Sequence, residues 1–150
     1  MPLIVLETII NAGPQRCFDD SRSIELHEQS TSRTGERAVG GKTSGLLGPG
    51  ESVTWRARHL GVWQSLTSVI TEFNPPHLFV DEMVRGAFAS IRHEHHFTAL
   101  SPGATLMVDR FSYKSPLGPF GKLADFLFLK AYMRKLLVAR NEVIKKHAES

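Results

Sequence analysis

The chain has 150 residues, of which 41% are hydrophobic and 22% are charged, and its formal net charge is +3. This length and composition predict one globular domain, spanning residues 1–150, with a sizeable core. The small basic excess lacks the clustered basic residues and aromatic platforms that typically bind nucleic acid, so no nucleic-acid partner is expected.

The cysteine content and the N-terminal residues bear on the compartment. Cys17 is the only cysteine, which rules out an intrachain disulfide and favours a reducing, cytoplasmic location. The apolar run Leu3–Leu6 is short and is interrupted by Glu7. We therefore expect neither a signal peptide nor stable membrane insertion.

Strands and two short helices are predicted over the first 114 residues. Alternating or β-branched runs are bounded by Gly, Pro and Asn, as is typical of strands joined by turns. The predicted strands cover residues 3–10, 34–39, 51–60, 62–73, 77–85, 87–100 and 104–114, and the predicted helices cover 14–20 and 21–30. The closely spaced hairpins predict an antiparallel meander, because parallel strands need longer crossovers.

A glycine-rich loop separates the second and third predicted strands. Residues 40–50 read GGKTSGLLGPG and predict a mobile loop. Residues 41–43 are similar to the end of a phosphate-binding loop, but that motif requires a glycine where Glu36 stands. No nucleotide or other cofactor is therefore expected.

Alternation along the strands predicts which side chains face inward. If His59 pairs with Val62 across a tight turn, the inner side chains of these two strands share one face. A two-residue turn at residues 85–86 would place Glu82 beside the inner residues of the following strand. The polar residues of the predicted inner wall are His59, Gln64, Glu82, His93, His95 and Asp109.

The C-terminal stretch from Ser115 to His147 predicts one long helix. It opens with the turn signal SPLGP and then shows helical periodicity. Asn141 falls on the polar face of this helix, and residues 120–133 are apolar almost all round, so they should be covered on more than one side. The apolar stripe comprises Phe126, Leu129, Tyr132, Met133, Leu136, Leu137, Val143 and Ile144.

Arg140 falls inside that apolar stripe, where an unpaired guanidinium would be costly. We expect it to pair with Glu82 or Asp109, or with a carboxylate of a ligand, because its planar fork suits either role. The alternative is that the side chain extends to water at the edge of the helix.

Three segments resemble one known superfamily. Residues 11–19 (NAGPQRCFD), 92–97 (RHEHHF) and 105–125 (TLMVDRFSYKSPLGPFGKLAD) are similar to segments of the START-like, polyketide-cyclase/dehydrase superfamily, also called SRPBCC or helix-grip. Within it the chain looks most like small stand-alone bacterial members. The resemblance implies an α+β fold, in which a curved antiparallel sheet of about seven strands wraps around a long C-terminal helix. The superfamily includes lipid carriers, hormone receptors and cyclases, so the resemblance implies no single activity.

The first expectation for function is that the domain binds a small apolar or amphipathic molecule between the sheet and the C-terminal helix. Apolar walls with a few polar groups are typical of such cavities. The predicted ligand-binding residues are Trp55, His59, Gln64, Leu66, Glu82, His93, His95, Asp109, Phe111, Tyr113, Met133, Leu136 and Arg140.

Two alternatives remain open. The protein could be an enzyme of the cyclase, aromatase or hydratase type, with His93, His95 and Asp109 as the candidate acid–base residues, because histidine titrates near neutral pH. Alternatively, residues 120–133 could bind another protein or a second copy of the chain, which would give a homodimer.

The same histidines are also candidate metal ligands. His93 and His95 are two residues apart on a strand, so both could join Glu82, Asp109 or His59 around an ion. No further Cys or His motif completes such a site. No metal is therefore expected.

Overall fold

The computed structural model describes residues 2–115, 118–124 and 128–150, in which seven strands and four helices are found. In chain order these are β1 (Leu3–Ile10), α1 (Pro14–Ser21), α2 (Ile24–Ser30), β2 (Arg37–Gly41), β3 (Ser52–His59), β4 (Val62–Asn74), β5 (Leu78–Arg85), β6 (Ser90–Ser101), β7 (Ala104–Lys114), α3 (Pro119–Ala124) and α4 (Lys130–Ala148). The α+β class and the two short helices after the first strand are confirmed.

All seven strands form one antiparallel sheet in the order β1-β7-β6-β5-β4-β3-β2. Strands β2 to β7 follow one another as the predicted meander, and β1 pairs with β7, where Leu6 lies opposite Asp109. The β4–β5 ladder shifts register between Ile70 and Glu72. Such bulges bend a strand and increase its twist, which helps the sheet to curve around a helix.

The turn predicted before the C-terminal helix is found at Gly118. Gly118 has a φ of +54°, a left-handed conformation that cannot continue a right-handed helix, and α3 begins at the next residue, Pro119. α4 begins at Lys130. Residues 125–127, which include the predicted apolar residue Phe126, lie outside the described part of the chain.

The buried face of α4 differs from the predicted stripe. It packs against β1, α1 and α2, and its buried positions recur with helical spacing. Contrary to prediction, Asn141 is buried, because the helix is covered on two sides rather than along one stripe. The buried residues of α4 are Leu137, Arg140, Asn141, Ile144 and Ala148.

The helical residues that precede α4 are more exposed than predicted. Phe120 is 77% exposed, and Leu123 and Phe128 are about half exposed, so these three side chains are not covered within the monomer. Across the ranges that the structure describes, no helix has both the length and the apolar character needed to span a membrane.

α1 is attached to the sheet by an aromatic cluster. Phe18 contacts Phe73, Phe79 and Phe97 edge-on, with ring centroids 5.3–5.5 Å apart. Cys17 lies in the same core as a free, buried thiol, and burial raises its pKa. These contacts place α1 and the following residues beside the C-terminal half of α4, which positions the site described next.

Candidate functional site

A cavity of about 380 Å³ lies between the inner face of the sheet and α4, with α2 and its flanking residues on one side. Most of the lining is apolar. The side chains predicted to bind a ligand that line this cavity are Trp55, His59, Gln64, Leu66, His93, His95, Phe111, Met133, Leu136 and Arg140.

The inner face of β3 and β4 is as predicted. His59 pairs with Val62, and Trp55 pairs with Leu66. This register places Trp55, Leu66 and Gln64 in the cavity wall. The tight turn at residues 60–61 has positive φ at both positions, which is the geometry that joins twisted strands directly.

The prediction for Glu82 is wrong. A two-residue turn at residues 85–86 would pair Glu82 with Ala89, but the β5–β6 ladder pairs Glu82 with Arg92 and Asp81 with His93. This odd shift in register turns Glu82 to the other face of the sheet. Glu82 is on the outer face, where its Oε1 is 3.3 Å from Nη1 of Arg92. The carboxylate that this strand presents to the cavity is therefore Asp81, which the sequence did not reveal.

Asp109 and Tyr113 lie behind the wall rather than in it. Both are fully buried on the inner side of β7, and neither lines the cavity. Tyr113 packs against Phe88 and Phe111, with ring centroids 5.5 Å and 6.1 Å away. These two predicted ligand-binding residues would therefore support the wall rather than touch a ligand.

Asp109 is held by three donors. Its Oδ1 is 2.8 Å from Nε2 of His93 and 3.5 Å from Nη1 of Arg140, and its Oδ2 accepts a 2.7 Å hydrogen bond from Asn141. Burial raises the pKa of Asp109, but the hydrogen bond from His93 and the nearby charges outweigh it, so the pKa falls well below its ordinary value. The side chain is thus a buried carboxylate.

Arg140 is buried, and both of its terminal nitrogens are engaged. Nη1 donates to Oδ1 of Asn141 at 2.9 Å and to Asp109, and Nη2 donates to the Ser21 carbonyl at 3.1 Å and to Nδ1 of His95 at 3.4 Å. The predicted pairing with Asp109 is confirmed. No terminal N–H remains for a ligand carboxylate, and the side chain does not extend to water.

Glu82, the other partner predicted for Arg140, is excluded because it lies on the outer face with Arg92. The network instead uses Asn141 and a backbone carbonyl. The sequence revealed neither partner. Asn141 was placed on the polar face of the helix, and the carbonyl belongs to a residue 119 positions away.

His95 is fixed on both ring nitrogens. Its Nε2 lies 2.7 Å from Oδ2 of Asp81, and its Nδ1 faces Arg140, which can only donate. His95 is therefore neutral, with its proton on Nε2. Burial, then the charges of His93 and Arg140, lower its pKa to about 3. The ring stacks between Phe79 and His93, with centroids 4.0 Å and 3.7 Å away.

His93 is arranged differently from its neighbour. Its Nε2 bonds to Asp109, its ring lines the cavity, and no hydrogen-bond partner is found at Nδ1 among the described residues. Of the three candidate acid–base residues, only His93 therefore combines a place in the cavity wall with a ring nitrogen that has no hydrogen-bond partner in the described ranges, whereas His95 and Asp109 are occupied by neighbours.

Further polar residues line the same cavity, of which His59 was predicted from the sequence and His27 and Glu36 were not. Nε2 of His27 is 2.7 Å from Glu36, and the His27 ring lies 4.1 Å from the Trp55 ring. Nδ1 of His59 is 2.8 Å from the Tyr132 hydroxyl. Burial raises the pKa of Glu36, but the charge and hydrogen bond of His27 outweigh it, so Glu36 is also ionised.

One group of side chains has the spacing of a metal site. The possible ligand atoms of Asp81, His93 and His95 lie within 4.8 Å of one another. A metal on Nε2 of His95 would move the ring proton to Nδ1, opposite the N–H of Arg140. The positions of these three side chains are therefore better explained by their hydrogen bonds than by a bound metal ion.

Comparisons with known proteins bear on the fold. No model of a known protein family matches the chain, and no curated protein matches it in sequence. Solved structures match nearly the whole chain. The protein TTHA0849 from Thermus thermophilus has a TM-score of 0.79 at 16% identity, with 98% of this chain and 97% of that chain covered.

Two further structures carry more informative names. The Zhui aromatase/cyclase from Streptomyces sp. R1128 has a TM-score of 0.74 at 14% identity and covers 99% of this chain and 93% of its own. A START superfamily protein from Mycobacterium smegmatis has a TM-score of 0.70 at 10% identity, with coverage of 98% and 97%. The chain has the helix-grip fold of the START-like superfamily, as the sequence resemblance predicted.

Proposed function

We propose that the protein binds a small hydrophobic or amphipathic molecule in the cavity between the sheet and α4. The observation that carries this proposal is the cavity itself, about 380 Å³ with a mostly apolar lining and a few fixed polar groups. Pockets of this size and lining are typical of sites for small molecules. Each 100 Å² of apolar ligand surface buried there would contribute about 2.5 kcal/mol.

The binding proposal predicts that N-phenyl-1-naphthylamine, a neutral apolar fluorophore, binds with one-to-one stoichiometry. Ala57→Phe is expected to weaken binding by at least about tenfold, because Ala57 lies in the cavity wall and the new ring would occupy the probe's volume. Fluorescence titration measures both affinities.

Arg58→Phe is the matched control for this titration, since Arg58 is an exposed neighbour on the same strand. Its affinity should equal that of the wild type. Absence of saturable binding, or equal loss in both variants, would refute the cavity as the binding site.

Acid–base catalysis by His93 is a second candidate function. The supporting observation is that Asp109 holds Nε2 of His93 while Nδ1 has no partner in the described part of the chain. A histidine oriented by a buried carboxylate can take a proton from a bound molecule and return it. The similarity to an aromatase/cyclase is compatible with this chemistry but extends only to the fold.

The catalytic candidate predicts exchange of the α-protons of 2-tetralone, an apolar enolisable ketone, in D₂O. His93 would remove the proton from carbon, and the enolate would take a deuteron from solvent. His93→Gln should slow exchange by about 100-fold, whereas His96→Gln, on the outer side of the same strand, should not. Mass spectrometry follows deuterium uptake, and an exchange rate no faster than buffer would exclude this function.

The described structure bears on location through one residue only. Cys17 is a free thiol in the core, which is compatible with the reducing compartment predicted from the sequence.

A further inference from the structure

The positively and negatively charged side chains of the cavity wall differ in how fully they are hydrogen-bonded by the protein. Two arginines line the cavity, and each is held by an aspartate: Arg140 contacts Asp109, and Arg22 contacts Oδ1 of Asp19 at 2.8 Å. Nη1 of Arg22 also donates to the Leu47 carbonyl at 3.0 Å. Both cations of the wall therefore have acceptors from the protein itself.

The two carboxylates that line the cavity, Asp81 and Glu36, are held differently. Each is bonded to one histidine through one oxygen, Asp81 to His95 and Glu36 to His27. Across the described ranges, no donor lies within hydrogen-bond distance of the second oxygen of either carboxylate. The Asp81 side chain keeps 25% of its surface exposed, and it borders the cavity.

An ionised carboxylate can only accept hydrogen bonds, and an open oxygen in an apolar wall favours a partner that donates. A second anion in the same cavity would be repelled, and it would find no free terminal N–H on Arg140. We infer that the ligand is an apolar molecule carrying hydroxyl or amine donors, one of which binds Asp81, rather than a carboxylate such as a fatty acid. This inference rests on the proposed binding function.

Three naphthalenes of similar size test this chemistry: 2-naphthol, 2-methoxynaphthalene and 2-naphthoate. Each is titrated against the bound N-phenyl-1-naphthylamine at pH 7.5. The hydroxyl should give about tenfold tighter binding than the methyl ether, because hydrogen bonds to charged groups are stronger than neutral ones. The carboxylate should bind most weakly.

Asp81→Asn should reduce the preference for 2-naphthol over 2-naphthoate by at least about tenfold, because asparagine keeps the acceptor for His95 but loses the charge. Glu82→Gln is the matched control, since it removes a charge from the adjacent position on the outer face. It should leave the preference unchanged. The same measurement on Glu36→Gln shows whether the second carboxylate of the cavity also contributes to the preference for 2-naphthol.

The outcomes separate the two proposals. If N-phenyl-1-naphthylamine does not bind, the binding function and this inference both fail. If the three naphthalenes displace it with equal affinity, or if 2-naphthoate is preferred, only the donor inference fails. Should Asp81→Asn not fold, the wild-type series still decides whether the cavity prefers a donor to a carboxylate.

Discussion

Replacing Arg140 with methionine is expected to lower the free energy of unfolding by about 3–5 kcal/mol. Methionine has a similar length but no charge, so Asp109 would remain ionised and buried without its guanidinium neighbour. The Ser21 carbonyl and Nδ1 of His95 would also lose their donor. Removing one member of a buried charge pair costs much more than removing an exposed charge.

Urea denaturation of three variants tests this expectation. Arg134→Met is the matched control, because Arg134 is an exposed arginine on the same helix, and its effect should stay within about 0.5 kcal/mol. Adding Asp109→Asn to Arg140→Met should recover part of the loss, since the isolated charge is removed. A loss below about 1 kcal/mol in Arg140→Met would contradict the buried network around Asp109.

Stability should also fall as the pH is lowered below 6.5, because of His95. Its pKa is about 3 in the folded protein, against an ordinary value of 6.5. Below pH 6.5 the unfolded chain therefore binds a proton that the folded chain does not, and the loss continues until about pH 3. Between pH 7 and pH 4 this single group should cost about 3 kcal/mol.

His95→Gln isolates that contribution. Glutamine can still donate to Asp81 and accept from Arg140, but it does not titrate. The difference in unfolding free energy between wild type and variant should therefore shift by about 3 kcal/mol from pH 7 to pH 4. The lowered pKa values of Asp81 and Asp109 act at still lower pH in both proteins. Parallel stability curves above pH 4 would contradict this expectation, because they would show that His95 takes up its proton at the same pH in the folded and the unfolded chain.

The sequence predicted strand faces well where a short turn sets the register. Leu60 and Gly61 both have positive φ, and this two-residue turn leaves His59 opposite Val62. The connection from Arg85 to Ser90 has no such constraint. Glu82 pairs with Arg92 rather than with Ala89, as a two-residue turn would require, and this odd shift in register makes Asp81, not Glu82, the acidic residue of the cavity.

The hydrogen-bonded network around Arg140 was also predictable only in part, because it depends on contacts between elements distant in the sequence. Helical periodicity placed Arg140 in the apolar face, and the cost of an unpaired charge pointed to Asp109. Periodicity alone assumes a single buried stripe, so it could not show that α1, α2 and β1 together also bury Asn141. The approach of the Ser21 carbonyl depends on how distant elements pack.

Methyl-resolved NMR of the protein with N-phenyl-1-naphthylamine tests the central claim most directly. The cavity account predicts that the largest chemical-shift changes occur at Leu66, Met133 and Leu136, which line the cavity. The alternative, an interaction surface on residues 120–133, has its exposed apolar side chains at Phe120, Leu123 and Phe128. Changes confined to the Leu123 methyls, with Leu66 unmoved, would contradict the cavity account.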